Sequence, residues 1–295
     1  MVLSKKNIFS LLAATVVIGS LFLFFSYYSF AQNPKVPPAN FKVAFIGDSG
    51  DGAGFQKVLD LIKNEQADLV LHQGDFAYGD KNISNAWSGG INSILGPNFP
   101  YLGSDGNHDN WPSYIPFFKG RLSTMGLDPN ILTNNGGNYA VSYQGLKVVF
   151  VREGGDPNFI KNELQSDSSI WKICSWHYNM KTMQVGGKGD QMSWLDYENC
   201  RQYGAIIATA HEHSYERTKT LINTQTQTVD PDCPDPNKVC VGPEKTFVFV
   251  SGIGGKSIRK QRRCLPADYP YGCDEWAKIY TTNQNAAYGA LFIEI

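Results

Sequence analysis

Residues 42–52 read KVAFIGDSGDG, a short apolar run stopped by Gly and Asp. A run of this length with no alternation fits a strand buried on both faces, and its first acidic side chain comes only where the strand stops. Phe55, Val58, Leu59 and Ile62 follow at helical spacing, so the strand hands over to an amphipathic helix. Similar apolar runs recur as DLVLH (68–72), FPYLGS (99–104), KVVFV (147–151), KICSW (172–176), AIIATA (205–210), TFVFVSG (246–252) and ALFIEI (290–295). NFIKNELQSD (158–167) and DQMSWLDYENC (190–200) are weaker helix candidates, and NYAVSYQGLKVVFV reads as a hairpin turning at Gln144-Gly145. Strands alternating with helices, one hairpin and a strand-rich end predict an α/β domain with mixed sheets over 41–295. No internal repeat interrupts it.

The polar residues just past each strand matter more than the strand itself. Asp48 comes after the first; Asp75 and Tyr78 after the second; Asn107 and His108 after the third; His177 after KICSW; His211 and His213 after AIIATA. Strand ends in open α/β sheets form the crevice where ligands bind. Four of the five histidines lie at these ends, and the fifth, His72, sits inside a strand as a packing residue. Taken singly each motif is ordinary, since Gly-Asp is usually a turn and a lone His or Tyr is usually packing. Together they supply carboxylates, an amide oxygen, imidazoles and a phenol, a set that suits zinc, iron or manganese rather than calcium or copper(I). Seven donors exceed one site that keeps room for water, so two ions fit better than one, with Asp75 able to bridge them.

The ordered set GD (47–48), GDFAY (74–78), GNH (106–108), His177 and HEHSYER (211–217) resembles the calcineurin-like metallophosphoesterases, and within them the purple acid phosphatases. VSGIGG (250–255) and YGALFIEI (288–295) extend the resemblance across nearly all of 41–295. Most relatives carry DxH in the first block, where Gly50 stands here; the purple acid phosphatases lose that His and use a Tyr from the second block, where Tyr78 stands. The resemblance implies a four-layer α/β/β/α sandwich, two facing mixed β-sheets flanked by helices. It implies a ferric ion held by Asp48, Asp75, Tyr78 and His213, and a second ion (Zn, Mn or Fe) held by Asp75, Asn107, His177 and His211. It implies hydrolysis of phosphate monoesters by in-line attack of an activated water, with Asn107 and His108 facing substrate and His108 protonating the leaving group. Two departures stand out: Ala210 replaces the Gly that opens the family's HxH block, and Gly187 occupies the place of a second substrate-facing His. Lys188 beside it has two readings, a source of positive charge in that His's stead or, in preference, a solvated loop residue.

Bulk properties narrow the class. A hydrophobic fraction of 42% with 18% charged residues is that of a globular protein. A net charge of −1 provides no global field for nucleic acid. The local exception, RKQRR (259–263), reads as a solvated loop able to meet an anion. Lys5 and Lys6 precede an apolar run over 8–25, flanked by Tyr27, Tyr28 and Phe30. Residues 1–31 are thus either a signal peptide cut after Ala31 or a membrane anchor. The run nearly reaches the ~20 residues that span a bilayer, which favours a tether through 8–28. Either way the rest is expected outside the cytoplasm, secreted or anchored, behind a Pro-containing linker at 32–40.

The six cysteines fit that compartment. Cys233 with Cys240 and Cys264 with Cys273 close short turn-rich loops, leaving Cys174 for Cys200. Asn82-Ile83-Ser84 is a glycosylation sequon. Expected partners are a phosphorylated small molecule or a phosphoprotein. A phosphodiesterase or nucleotide pyrophosphatase on the same scaffold, and a non-catalytic metal- or phosphate-binding protein, are the competing readings.

Overall fold

The computed structural model describes residues 36–265 and 273–295. The apolar run read as signal or anchor lies outside them, and no described helix is long and apolar enough to cross a membrane. In chain order the first half contains β1 (Lys42–Ile46), α1 (Ala53–Asn64), β2 (Leu69–Gln73), α2 (Asn85–Ile94), β3 (Tyr101–Ser104), α3 (Trp111–Thr124), β4 (Tyr139–Tyr143) and β5 (Leu146–Phe150). Then come α4 (Pro157–Leu164), β6 (Trp171–Ser175), α5 (Trp194–Gln202), β7 (Ile206–Thr209), β8 (Tyr215–Thr218), β9 (Leu221–Asn223), β10 (Thr228–Val229), β11 (Val248–Ser251), β12 (Trp276–Tyr280) and β13 (Leu291–Glu294).

Two mixed sheets carry the fold. The smaller has the order β13-β1-β2-β3 and the larger β12-β8-β11-β7-β6-β5-β4, while β9 and β10 form a separate ribbon. Within the small sheet β1, β2 and β3 run parallel and β13 closes one edge antiparallel. In the large sheet β5, β6, β7 and β11 run parallel, with β4 antiparallel to β5 at one edge and, at the other, β8 antiparallel to both β11 and the edge strand β12. The period-two side-chain rule gives the layers. In β5, Val148 and Phe150 enter the core shared with the small sheet, whereas Val149 and Val151 point to a second core with Phe159 and Ile160 of α4 and Tyr197 of α5. Phe45 of β1 meets Phe249 of β11 edge-on at 5.0 Å, and Ser251 Oγ donates to Phe45 O at 2.8 Å across the same gap. The other face of the small sheet is covered by α1, α2 and α3, where Trp87 stacks on Phe55 and packs against Phe76 and Phe117. The result is the four-layer α/β/β/α sandwich.

Local chemistry explains the connections. Tyr143 and Leu146 pair across a two-residue turn in which Gln144 and Gly145 both have positive φ, 49° and 80°, the turn that matches strand twist. Pro37, placed in the linker by its sequence, is instead buried, and the chain at Val36-Pro37 lies against Gly145. Three disulfides form as paired from the sequence: Cys174–Cys200 between β6 and α5, Cys233–Cys240 and Cys264–Cys273. Helices α2 and α3 are absent from the sequence-based expectation. Ser84 caps α2 by accepting from Trp87 N–H at 3.0 Å, but Gly89 and Gly90 blur its pattern. In α3 the internal Pro116 argues against helix from sequence. Tertiary packing of Trp111, Tyr114, Phe118 and Leu122 overrides it.

Candidate metal centre

The parallel strands of both sheets deliver their polar residues to one edge. Asp48, Asp75, His177 and His211 each stand two residues past the end of β1, β2, β6 and β7, and Asn107 three past β3. Two clusters of donor atoms result. In the first, Tyr78 Oη lies 3.1 Å from Asp48 Oδ1 and 3.1 Å from His213 Nε2, and those two atoms are 3.2 Å apart. In the second, His177 Nε2 lies 3.4 Å from Asp75 Oδ1 and 2.9 Å from His211 Nδ1. Asn107 Oδ1 is buried with no hydrogen-bond partner among the described residues. His211 N–H donates to Asp48 Oδ2 at 2.8 Å, joining the clusters.

These spacings suit cations. Donors ~2.0–2.2 Å from a shared ion and at right angles to each other lie roughly 3 Å apart. Two carboxylates, a phenol and an orphaned amide oxygen are an acceptor-rich set that a positive charge would satisfy. The glycines keep the cradle open: a Cβ at Gly106 would fall 2.3 Å from Asp75 Oδ1 and 2.9 Å from His177 Cδ2, and one at Gly252 would fall 2.7 Å from Asp48 Oδ2.

Surrounding groups orient the donors. His177 Nδ1 sits 2.7 Å from the Gln73 carbonyl, so that nitrogen donates and Nε2 is the one aimed at the cluster, its lone pair free for a cation that displaces its proton. His213 Nδ1 makes the corresponding contact to Ser257 Oγ at 2.5 Å. Asp109 accepts backbone N–H bonds from Asp75 (2.7 Å), Phe76 (2.9 Å) and Gly106 (2.8 Å), tying the second and third loops together. Neither Ser257 nor Asp109 is singled out by the sequence. Asp109 had a signal, an acid two residues past Asn107 in the same turn, whereas Ser257 is distant from every motif.

Electrostatics reflect the crowding of acids. Burial raises the Tyr78 phenol far above its ordinary range, and Asp48 and Asp75 add to the effect. Burial works against charge on both members of the His177–Asp75 pair, yet their attraction wins: the imidazole is lifted to about 9 and the carboxyl is held well below its usual range. Burial, then the charges of His177 and Lys188, depress His211 to about 2.

His108 is half-buried, its ring 4.6 Å from that of Tyr78 and its N–H 2.9 Å from Asp75 Oδ1. Lys256 Nζ lies 4.6 Å from the Tyr78 ring centroid. His72 is a packing residue as expected, buried and bonded through Nδ1 to Tyr101 Oη at 2.9 Å. Lys188 differs from its solvated-loop reading. With Glu212, Arg259, Lys260 and Arg262 it lines a cavity beside the HxH segment, and burial and Arg259 lower its ammonium pKa.

The profile of the family described as Calcineurin-like phosphoesterase matches residues 41–215, more than half of the chain and all of the donors above. The chain belongs to the calcineurin-like phosphoesterases. Among curated phosphoesterases it is similar to purple acid phosphatase 18 of Arabidopsis thaliana, 23% identical over 219 residues, 67% of this chain and 49% of that protein. Purple acid phosphatase 21 of the same plant is 23% identical over 218 residues, 67% of this chain and 50% of its own length. The chain therefore spans about half the length of these relatives. Among solved structures, the fold resembles yellow lupin purple acid phosphatase PPD1 (TM-score 0.55, 14% identity, 89% of this chain and 55% of that one). It also resembles PhoD (0.56, 11%, 89% and 65%). A third is Plasmodium GAP50, described as the anchor in the inner membrane complex (0.57, 15%, 87% and 81%). At these identities the likeness is one of fold. Membership implies metal ions and a phosphorylated substrate, and the two donor clusters fit the former.

Proposed function

We propose that this phosphoesterase hydrolyses phosphate monoesters at a binuclear centre, in the manner of an acid phosphatase. The observation that carries the reading is the pair of donor clusters joined by the 2.8 Å bond from His211 N–H to Asp48 Oδ2, with Asp75 Oδ1 3.4 Å from His177 Nε2 in the second. Asp48, Tyr78 and His213 with Asp75 would hold a ferric ion, because a phenolate is a hard anionic donor. Asn107, His177 and His211 with Asp75 would hold zinc, manganese or ferrous iron. Bound there, the ions supply Lewis acidity and acidify water for attack on phosphorus. The chain's own residues do the rest. His108, half-buried over the Tyr78 ring, gives its ring proton to the leaving alkoxide. Asn107 and His108 orient the ester, and Gly106 leaves the space in which it lies.

The three disulfides and the apolar N-terminal run support a location outside the cytoplasm, secreted or tethered. Gly187, where a second substrate-facing His would stand, favours the one rival reading, a protein that binds metal or phosphate without turnover. The deciding experiment follows p-nitrophenyl phosphate and bis-p-nitrophenyl phosphate with the metal-loaded chain and Asp75→Asn from acid to neutral pH. Monoester preference abolished by Asp75→Asn supports the proposal. Diester preference transfers it to a phosphodiesterase, and no turnover of either by protein carrying two metals sinks it in favour of the binding protein.

A further inference from the structure

The cavity beside the candidate centre has about 460 Å³ of space, lined by Gly187, Lys188, Glu212, Arg259, Lys260 and Arg262. Proposed monoester hydrolysis leaves its charges without a task. Four cations face one carboxylate, that of the buried Glu212. The basic loop is fixed by its backbone rather than drifting in solvent. Arg259 N–H donates to His213 O at 2.8 Å, and the N–H groups of Arg262 and Arg263 donate to Val185 O at 2.9 and 3.0 Å.

Two of the loop's cations are committed. Arg263 donates to the carbonyls of Lys181 and Gln184 at 2.8 and 2.7 Å. Arg259 reaches His211 O at 3.2 Å and lies 3.7 Å from the Glu212 carboxylate. Among the described residues, the side chains of Lys188, Lys260 and Arg262 have no hydrogen-bond or ion-pair partner. Arg262 also lies against Gly187, where a Cβ would come within 3.1 Å of its Cδ. A larger residue at 187 would therefore crowd the arginine, and glycine admits it.

We infer that this cavity is a subsite for a second phosphoryl group, so that the substrate class is small molecules carrying two phosphoryl groups, one at the centre and one here. The inference rests on the proposed phosphoesterase centre for the first group. The free guanidinium fork of Arg262 and the two ammonium groups of Lys188 and Lys260 suit the several oxygens of a multiply charged phosphoryl group. A cavity of this volume lies in the range of small-ligand sites. Arg259 connects the two subsites, with its backbone on His213 and its guanidinium on His211.

The test uses the full metal-loaded chain and the double variant Lys260→Gln/Arg262→Gln. Inorganic pyrophosphate and orthophosphate are compared as competitive inhibitors of p-nitrophenyl phosphate hydrolysis. A change that the substitutions make to the centre's own affinity for both cancels in the ratio of their inhibition constants. Loss of two charge-assisted contacts should raise the pyrophosphate constant at least about tenfold relative to that of orthophosphate, and roughly 0.3 M salt should shrink the difference. A ratio within about twofold of wild type, with hydrolysis intact, overturns the subsite and leaves the phosphatase standing. If the wild type turns over nothing, the centre's reading fails separately, and calorimetric titration of the same proteins with pyrophosphate decides the cavity. About tenfold weaker binding to the variant supports the subsite, and equal binding refutes it.

Discussion

Gly47→Ala tests how the two sheets are brought together at the candidate centre. Gly47 follows β1 and Ala210 follows β7, each immediately before a donor residue, Asp48 and His211. A Cβ built at position 47 would lie 2.2 Å from Ala210 Cβ and 3.3 Å from Gln73 O. Carbon atoms prefer ~3.5–4.0 Å, so the strand ends would have to separate by more than about 1 Å. Ala210 is fully buried, and overpacking such a site costs about 1–3 kcal/mol. In a chain of this size that lowers the melting temperature by roughly 2–4 °C per kcal/mol. The displacement also strains the 2.8 Å bond from His211 N–H to Asp48 Oδ2, so metal retention should weaken alongside stability. Gly47→Ala/Ala210→Gly removes the opposing methyl and should restore most of both, with a coupling energy in the ~1–3 kcal/mol range of contacting pairs. Calorimetry and metal analysis on the two single variants and the double variant measure this. A double variant as impaired as Gly47→Ala would refute the reasoning. Success would show that Gly47 leaves the room that Ala210 needs where the family resemblance has Gly.

On the proposed binuclear reading, His108→Ala should keep both metals and lose about 10²–10⁴ in turnover; metal loss would show a structural role instead. Tyr78→Phe removes the oxygen that lies 3.1 Å from both Asp48 Oδ1 and His213 Nε2, so the visible absorption expected of a phenolate–ferric pair should vanish; an unchanged spectrum would reassign that site. Glu216→Gln addresses pH. Burial pushes the Glu216 carboxyl to about 8, against the bonds it accepts from Val185 N–H and Ser214 Oγ. An unfolded carboxyl titrates near ~4.3, so between there and about 8 the folded chain holds a proton that the unfolded chain lacks. Stability from this group is complete below the lower value and is lost as pH rises through the upper one. The amide cannot titrate, so urea unfolding at about pH 5 and about pH 8 should show a smaller loss in the variant, and an equal loss would exonerate Glu216.

The donors were legible because each follows a strand that is itself legible: β1, β2, β6 and β7 are near-continuous apolar runs, and Asp48, Asp75, His177 and His211 are the punctuation behind them. Less was visible where tertiary contact decides. Pro116 hides α3, whose helicity comes from packing Trp111, Tyr114 and Phe118. The cationic cavity was hidden because Lys188 and Arg262 are far apart in sequence, and tertiary bonds from Arg262 and Arg263 to Val185, Lys181 and Gln184 carbonyls bring them together. Strand β12 was hidden too: its register against β8 shifts between Trp276 and Lys278, which breaks the alternation that would mark a strand.

Backbone conformation adds an argument that composition could not supply. Thirteen described non-glycine residues have positive φ, and most, such as Lys81, Gln144 and Glu244, stand exposed in turns where a neighbour can give way. Those that are buried are Asp48, Asp75, Tyr78, His211 and the disulfide-bonded Cys264. Asp and His tolerate the left-handed region better than most side chains, but an aromatic such as Tyr78, at φ 65°, does not. Each such residue costs of order 1–2 kcal/mol relative to ordinary backbone. Glycine would remove that cost at all four positions and would also remove every donor oxygen or nitrogen they carry. The interior therefore keeps this strain where a side chain must turn back from a strand end toward its neighbours, and a disulfide is the one other place where a covalent bond fixes it. Substituting glycine for Tyr78 should accordingly relieve backbone strain while emptying the first donor cluster of its phenol, so that any gain in stability arrives with loss of the ferric ion proposed there. A variant that kept its ferric absorption would mean the left-handed turn at 78, and not the phenol, is what the centre requires.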